Sequence, residues 1–228
     1  MALQNRVNPF GALIAVEARG TLMGNRGCLH DRHQQIRRAF VGQRWILCLL
    51  QFRDRRRTVM SPGRYTELFF LDEATGFAAG HRPCAECQRE QYRLFRDTWV
   101  VANPVLAGSA TPSANDLDAQ LHAERLDDRR GKRMYEDNLT TLSTGVMVLL
   151  ENDERPMLVL ANHLRPWTSG GYGAAIPRPD GGRVRVLTPR SMVRTIVAGF
   201  PVGLHGSAGA GEGLGDAPDR LAGRLRPA

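Results

Sequence analysis

Apolar residues along the chain fall into short runs cut by glycine, proline and charge. Over residues 1–33, Asn8-Pro9, Gly11, Gly20, Gly24-Asn25 and Gly27 punctuate pieces such as 12–16. That pattern predicts one or two short strands with tight turns. Residues 45–52 are an apolar run bounded by charge, which reads as a buried strand with Cys48 in its middle. Residues 65–71 read as a second strand that buries Phe69, Phe70 and Leu71. Asp72 then caps a short helix over 73–79, and Gly80 ends it in the left-handed region. Over 86–101, Tyr92, Phe95 and Trp99 recur at helical spacing, with Arg89, Arg93 and Arg96 largely on other faces. This predicts an amphipathic helix whose aromatic stripe is core.

The second half changes character. Residues 103–115 hold two prolines, Gly108 and small polar residues and read as a loop. Ser113 and Asp116 form a capping box that opens a helix through Arg125. Strands over 145–150 and 157–160 flank a turn and suit a hairpin. Residues 164–173 read as a glycine-rich turn, and 183–187 as a further strand. Thr188 caps a helix with Pro189 at its first position, stopped by Gly199. From His205 the chain is glycine, alanine, proline and charge, and reads as disordered. The expected fold class is α+β. A zinc-containing α/β unit over 1–102 precedes a small antiparallel β unit closed by a helix over 103–204, and 205–228 form a tail.

Composition narrows the class. Hydrophobic residues make up 42% and charged residues 24%, so a core is available without disulfide staples. Four cysteines are too few and too unevenly spaced for a secreted disulfide scaffold. No apolar run reaches membrane-spanning length, and residues 1–10 lack the apolar centre of a signal peptide. The expectation is a cytoplasmic protein with no membrane partner. The net charge is +8, carried almost wholly by arginine. This suits phosphate contact, and equally a solvated arginine surface. The run Arg53-Asp54-Arg55-Arg56-Arg57 makes Arg53, Arg55, Arg56 and Arg57 the candidate nucleic-acid contacts.

The chemistry concentrates in Gly80-His81-Arg82-Pro83-Cys84-Ala85-Glu86-Cys87. Two cysteines with two residues between them can offer both sulfurs to one ion, and thiolates suit tetrahedral zinc. The helix that follows favours thiolate at its N-terminus. Redox pairs share this spacing, so the other ligands must come from elsewhere. Cys28 and Cys48 are candidates, and His30, His33 or His81 are alternatives for the fourth position. His122 beside Glu124 is a candidate acid–base pair, or the solvated end of a helix.

The segments 70–74 and 79–87 resemble the end of the Ada-type zinc-binding domain. Counting back to Cys48, the likeness spans roughly twenty to forty residues. That family binds zinc with four cysteines and uses the site to bind DNA; in its repair protein one zinc cysteine accepts a methyl group from a phosphotriester. The resemblance implies that Cys84 and Cys87 are the second cysteine pair, with Arg82 and Pro83 matching the residues before it. His81 stands where an aromatic is usual, and the first pair, to which methyl acceptance belongs, is not kept. The leading expectation is a structural zinc held by Cys28, Cys48, Cys84 and Cys87 beneath a basic surface that binds nucleic acid, DNA in the first place. The alternatives are a metal-dependent hydrolase or nuclease, a zinc-thiolate transferase, and a non-catalytic interaction module.

Overall fold

The computed structural model describes residues 2–55 and 58–209. The first half runs β1 (Gln4–Val7), β2 (Leu13–Ala15), β3 (Leu22–Asn25), β4 (Ile46–Cys48), β5 (Leu68–Phe70), α1 (Glu73–Ala78), β6 (Arg82–Pro83) and α2 (Arg89–Ala102). There follow α3 (Pro104–Ala107), α4 (Ala114–Arg125), β7 (Tyr135–Asn138), β8 (Met147–Leu149) and β9 (Met157–Val159). The last elements are β10 (His163–Thr168), β11 (Gly171–Tyr172), β12 (Ile176–Pro177), β13 (Arg183–Val186) and α5 (Arg190–Val197). The fold is α+β, as expected. Among the described residues no helix is long and apolar enough to cross a membrane.

The strands form two sheets. The first has the order β2-β1-β5-β3-β4-β6 and is mixed: β1 pairs β5 in parallel, and β4 pairs β6 in parallel. The second is antiparallel in the order β11-β10-β9-β8-β13-β7, with β12 beside β10. Leu47, Leu68 and Phe70 of the first sheet and Val148, Val159 and Val184 of the second belong to one buried cluster. Phe77, Phe95 and Phe200 sit in it with ring centroids 5.4–5.7 Å apart, within the range of favourable aromatic pairs.

The local signals behave as their chemistry dictates. Asp72 accepts from Thr75 N–H and caps α1, and Gly80 follows with φ of 83°. Ser113 and Asp116 make a reciprocal capping box at the start of α4. Tyr92, Phe95 and Trp99 form the buried face of α2.

Three expectations are corrected. Thr188 does not cap α5; its hydroxyl accepts from Met147 N–H, and the N-terminus of α5 is met by Glu124 instead. Residues 164–168, read as part of a turn, belong to strand β10, because β9 supplies a paired edge on which Arg165 and Pro166 sit opposite Leu158 and Met157. The stretch expected to be disordered from His205 is ordered over 205–209: His205 N–H donates to Asp72, and Ala208 is buried. Residues 210–228 lie outside the described residues.

Candidate metal centre

Sheet register assembles the cysteines. In the parallel pair of β4 and β6, Ile46 lies level with Arg82 and Leu47 with Pro83. The next step along both strands brings Cys48 level with Cys84. Cys84 N–H donates to Leu47 O at 2.8 Å and holds this alignment. The chain then turns, with Gln88 N–H donating to Cys84 O at 3.1 Å and the Gln88 side chain donating to Leu47 O at 2.9 Å. That turn carries Cys87 back to the same place. The sulfurs of Cys48, Cys84 and Cys87 all lie within 4.8 Å of one another. Thiolates on one tetrahedral ion, with bonds of about 2.3 Å, stand about 3.8 Å apart, so the three sulfurs are close enough together to share one metal ion.

Within the cluster, the surroundings of Cys84 favour its thiolate. Hydrogen bonds from the Cys48 and Cys87 thiols, and then from Cys87 and Glu86 N–H, push its pKa far down. Glu86 N–H lies 3.4 Å from the Cys84 sulfur. Cys48 shares its proton with Cys84 and is pushed up. A cation placed among the three sulfurs would take over the role of these shared protons.

The other candidates lie elsewhere. β3 and β4 are antiparallel, with Met23 opposite Cys48 and Asn25 opposite Ile46. The chain from Met23 to Cys28 therefore runs away from Cys48, and the Cys28 sulfur instead lies 3.7 Å from His30 O. His30 is held by Thr66 at 2.7 Å and Ser61 O at 3.2 Å. His33 is exposed and its Nε2 accepts from Arg32. His81 lies level with Trp45, on the face of the sheet opposite Cys48, because side chains alternate along a strand. It is fully buried, its ring centroid 5.1 Å from that of Trp45 and 4.7 Å from that of Phe70. Burial, then Arg26, Arg125 and Lys132, hold its pKa well below the usual histidine value.

Arg53 and Arg55 are exposed, with guanidinium groups 5.0 and 5.3 Å from the centre of the Phe52 ring. Arg55 also pairs at 2.5 Å with Glu86, inside the cysteine motif. Arg56 and Arg57 lie outside the described residues. The His122–Glu124 pair has structural partners. Glu124 accepts from the Ser191 N–H and hydroxyl, and His122 Nδ1 lies 2.8 Å from Arg125 Nη2. Arg82 is also buried: it makes a two-pronged ion pair with Asp118 at 3.0 and 2.7 Å, which ties β6 to α4.

All three clustered cysteines line one cavity of about 450 Å³. Its floor is a face of β3, β4 and β5. Met23 and Asn25, Ile46 and Cys48, and Glu67 and Phe69 all line it. Leu47, Leu68 and Phe70, which alternate with them, point into the core. Gly24, which alternates with Met23 and Asn25 and so faces the core, keeps β3 against β4; a Cβ there would stand 2.3 Å from Ile46 O. Glu67 is 3% exposed, and its Oε2 accepts from Met60 N–H at 2.7 Å. Glu67 and Asn25 were missed as site residues. The period-two pattern of Glu67 and Phe69 was their only signal, and nothing in it says which face is a cavity. Compared with known proteins, the chain matches no family model, no curated protein and no solved structure.

Proposed function

We propose that the protein binds zinc through Cys48, Cys84 and Cys87 and works as a zinc-dependent enzyme of the hydrolase or transferase type, with the ion's fourth position open to the cavity. The observation that carries this reading is that, among the described residues, three thiols and no fourth metal-ligating side chain cluster together, and that all three line the cavity. Structural zinc sites are closed by four protein ligands, whereas catalytic sites have three and leave a position for water or substrate. Three soft sulfur donors favour zinc over magnesium, calcium or manganese. The bound ion would supply a Lewis acid and a water of lowered pKa. The chain would hold the sulfurs as thiolates, with Glu86 N–H supporting the charge on Cys84. The cavity walls would orient the substrate and exclude bulk water.

A second reading, nucleic acid as partner, is favoured by a separate observation. Arg44 and Arg55 line the cavity, and Arg53 is exposed close by in the chain. With a net charge of +8, this arrangement suits phosphates leading to the cavity mouth. The Ada-type resemblance points the same way, although Arg82, its conspicuous arginine, is committed to Asp118.

Elemental analysis tests the first reading, on the wild type and on Cys28→Ser, Cys48→Ser, Cys84→Ser and Cys87→Ser. Stoichiometric zinc is expected in the wild type and in Cys28→Ser, and its loss in the other three. Wild-type protein without zinc, reduced and stably folded, would overturn the reading. For the second, charge reversal of Arg53 and Arg44 should weaken single-strand binding and flatten its salt dependence by roughly one charge per contact.

A further inference from the structure

We infer that the cavity takes a planar, nitrogen-rich heterocycle of nucleobase size, held by two adjacent N–H groups of its edge on the Glu67 carboxylate, with its far edge toward the cysteine cluster. The inference rests on the zinc reading for what that far edge meets.

Two rows of side chains cross the floor. Cys48, Met23 and Phe69 are level across β4, β3 and β5. One side-chain repeat away, Ile46 is level with Asn25. Glu67 stands one step beyond the Gly24–Leu68 pair and so is level with Asn25. The floor therefore has an apolar row ending at the cysteines and a row carrying an amide and a carboxylate. At about 4.8 Å between strands and about 6.8 Å per side-chain repeat, the Cys48 and Glu67 backbones stand about 12 Å apart. Their side chains narrow that span from both ends, leaving room for a one- or two-ring heterocycle lying over Met23 and Phe69.

The chemistry of the polar end selects the edge. A carboxylate has about four acceptor positions, and the bond from Met60 N–H uses one of them. A buried carboxylate on a cavity wall is best matched by a pair of parallel N–H donors, and the Asn25 amide can add a donor or an acceptor. A guanine-type edge offers a ring N–H beside an exocyclic amino group, whereas edges with a single donor satisfy Glu67 only in part. Arg44 on the same cavity argues against a cationic ligand such as an alkylamine or a guanidine, whereas Arg55 there is paired with Glu86. A neutral heterocycle carrying a phosphate suits the carboxylate and Arg44 together. A neighbouring cavity of about 400 Å³ shares Asn25 and Arg44 with this one and provides room for the sugar and phosphate. The same chemistry arises in a free nucleotide and in a nucleotide of a single strand.

The test is calorimetric titration of zinc-loaded protein with guanosine monophosphate and with inosine monophosphate, which lacks the exocyclic amino group. Two single-stranded thymidine hexanucleotides, with and without one guanine, form the second arm. Zinc is assayed on the same samples. Binding of guanosine monophosphate about tenfold or more tighter than inosine monophosphate is expected. In Glu67→Gln that preference should fall to about threefold or less, with zinc content unchanged. Asn25→Ala should weaken both nucleotides. A preference of the protein for the guanine hexamer over free nucleotide assigns the strand as the source, and the reverse assigns the free nucleotide. Absence of saturable binding in both arms, equal affinity for the two monophosphates, or a preference unaltered in Glu67→Gln would overturn the inference. Should Glu67→Gln fail to fold, the wild-type contrast between the monophosphates decides alone. Loss of zinc from wild type strikes the metal reading and leaves that contrast readable.

Discussion

Glu73 shows how much a single buried side chain can set the response to pH. It opens α1, its Oε2 accepts from Gly203 N–H at 2.9 Å, and burial followed by the nearby Asp72 carboxylate raises its pKa to about 7. The folded protein therefore binds this proton more tightly than the unfolded chain, in which a glutamate titrates near its ordinary value. The stabilisation is complete below the unfolded value of about 4.5 and is lost as pH rises to about 7, because the charged form must then be buried. Glu73→Gln keeps an acceptor for Gly203 and removes the charge. Chemical denaturation from pH 4 to 8 should show the variant gaining on wild type across that interval, by up to about 3 kcal/mol at pH 8. Parallel curves for the two proteins would show that Glu73 does not titrate in that window. Lys132 has the opposite sign: burial, then Arg125, lowers its pKa to about 7, so its contribution falls as pH drops from the ordinary lysine range toward 7.

At the scale of elements, the cysteine cluster depends on β6 lying beside β4, and β6 is only Arg82 and Pro83 long. So short a strand has few backbone bonds to hold its register, Arg82 N–H to Trp45 O and Cys84 N–H to Leu47 O. Its place is further fixed by the buried ion pair of Arg82 with Asp118 on α4, and by Arg125, which donates to Gly80 O at 2.9 Å and Gln43 O at 2.6 Å. The Arg125 guanidinium also lies 4.0 Å from the centre of the Trp45 ring. Breaking a buried pair leaves an uncompensated charge, so Asp118→Ala should cost about 3–5 kcal/mol. Because the lost anchor helps to align Cys84, zinc affinity should fall as well, although Asp118 is not a ligand. A variant that loses stability but retains wild-type zinc affinity would show that the cysteine turn keeps its register without α4.

Across the whole molecule, the two halves meet on Asp72. Its Oδ1 caps α1 through Thr75, and its Oδ2 accepts from the Tyr172 hydroxyl at 2.8 Å and from His205 N–H at 3.0 Å. One carboxylate thus joins the first half, the edge strand β11 and the segment after α5. Tyr172→Phe removes one charge-assisted hydrogen bond to a buried acceptor, and a loss of about 1.5–3 kcal/mol is expected from thermal or chemical denaturation. Hydrogen exchange should quicken over 205–209 as well as at Tyr172, since both hang on the same oxygen. Faster exchange confined to β11 would show that the terminal segment is held by other contacts.

Much of the secondary structure was legible because its signals are local. The Asp72 and Ser113 caps, Gly80 beyond α1, the aromatic stripe of α2 and the Cys84–Cys87 spacing each act within a turn or two of chain, where residue type alone decides the outcome. Strand β10 was not legible, since Arg165 and Pro166 make a strand only when β9 offers an edge. The same division runs through the candidate site. The cysteine pair was visible from its spacing. Cys48 rather than Cys28 was decided by tertiary structure: parallel pairing brings Cys48 level with Cys84, and antiparallel pairing carries Cys28 away. Glu67 and Asn25 acquire meaning only when three strands align one face over a cavity. Sequence by itself determined the fold class, the helix boundaries set by caps and one pair of sulfurs, since these depend on neighbours along the chain. Tertiary structure decided the third sulfur, the burial of Arg82 and the cavity, since these depend on register between segments some twenty to forty residues apart.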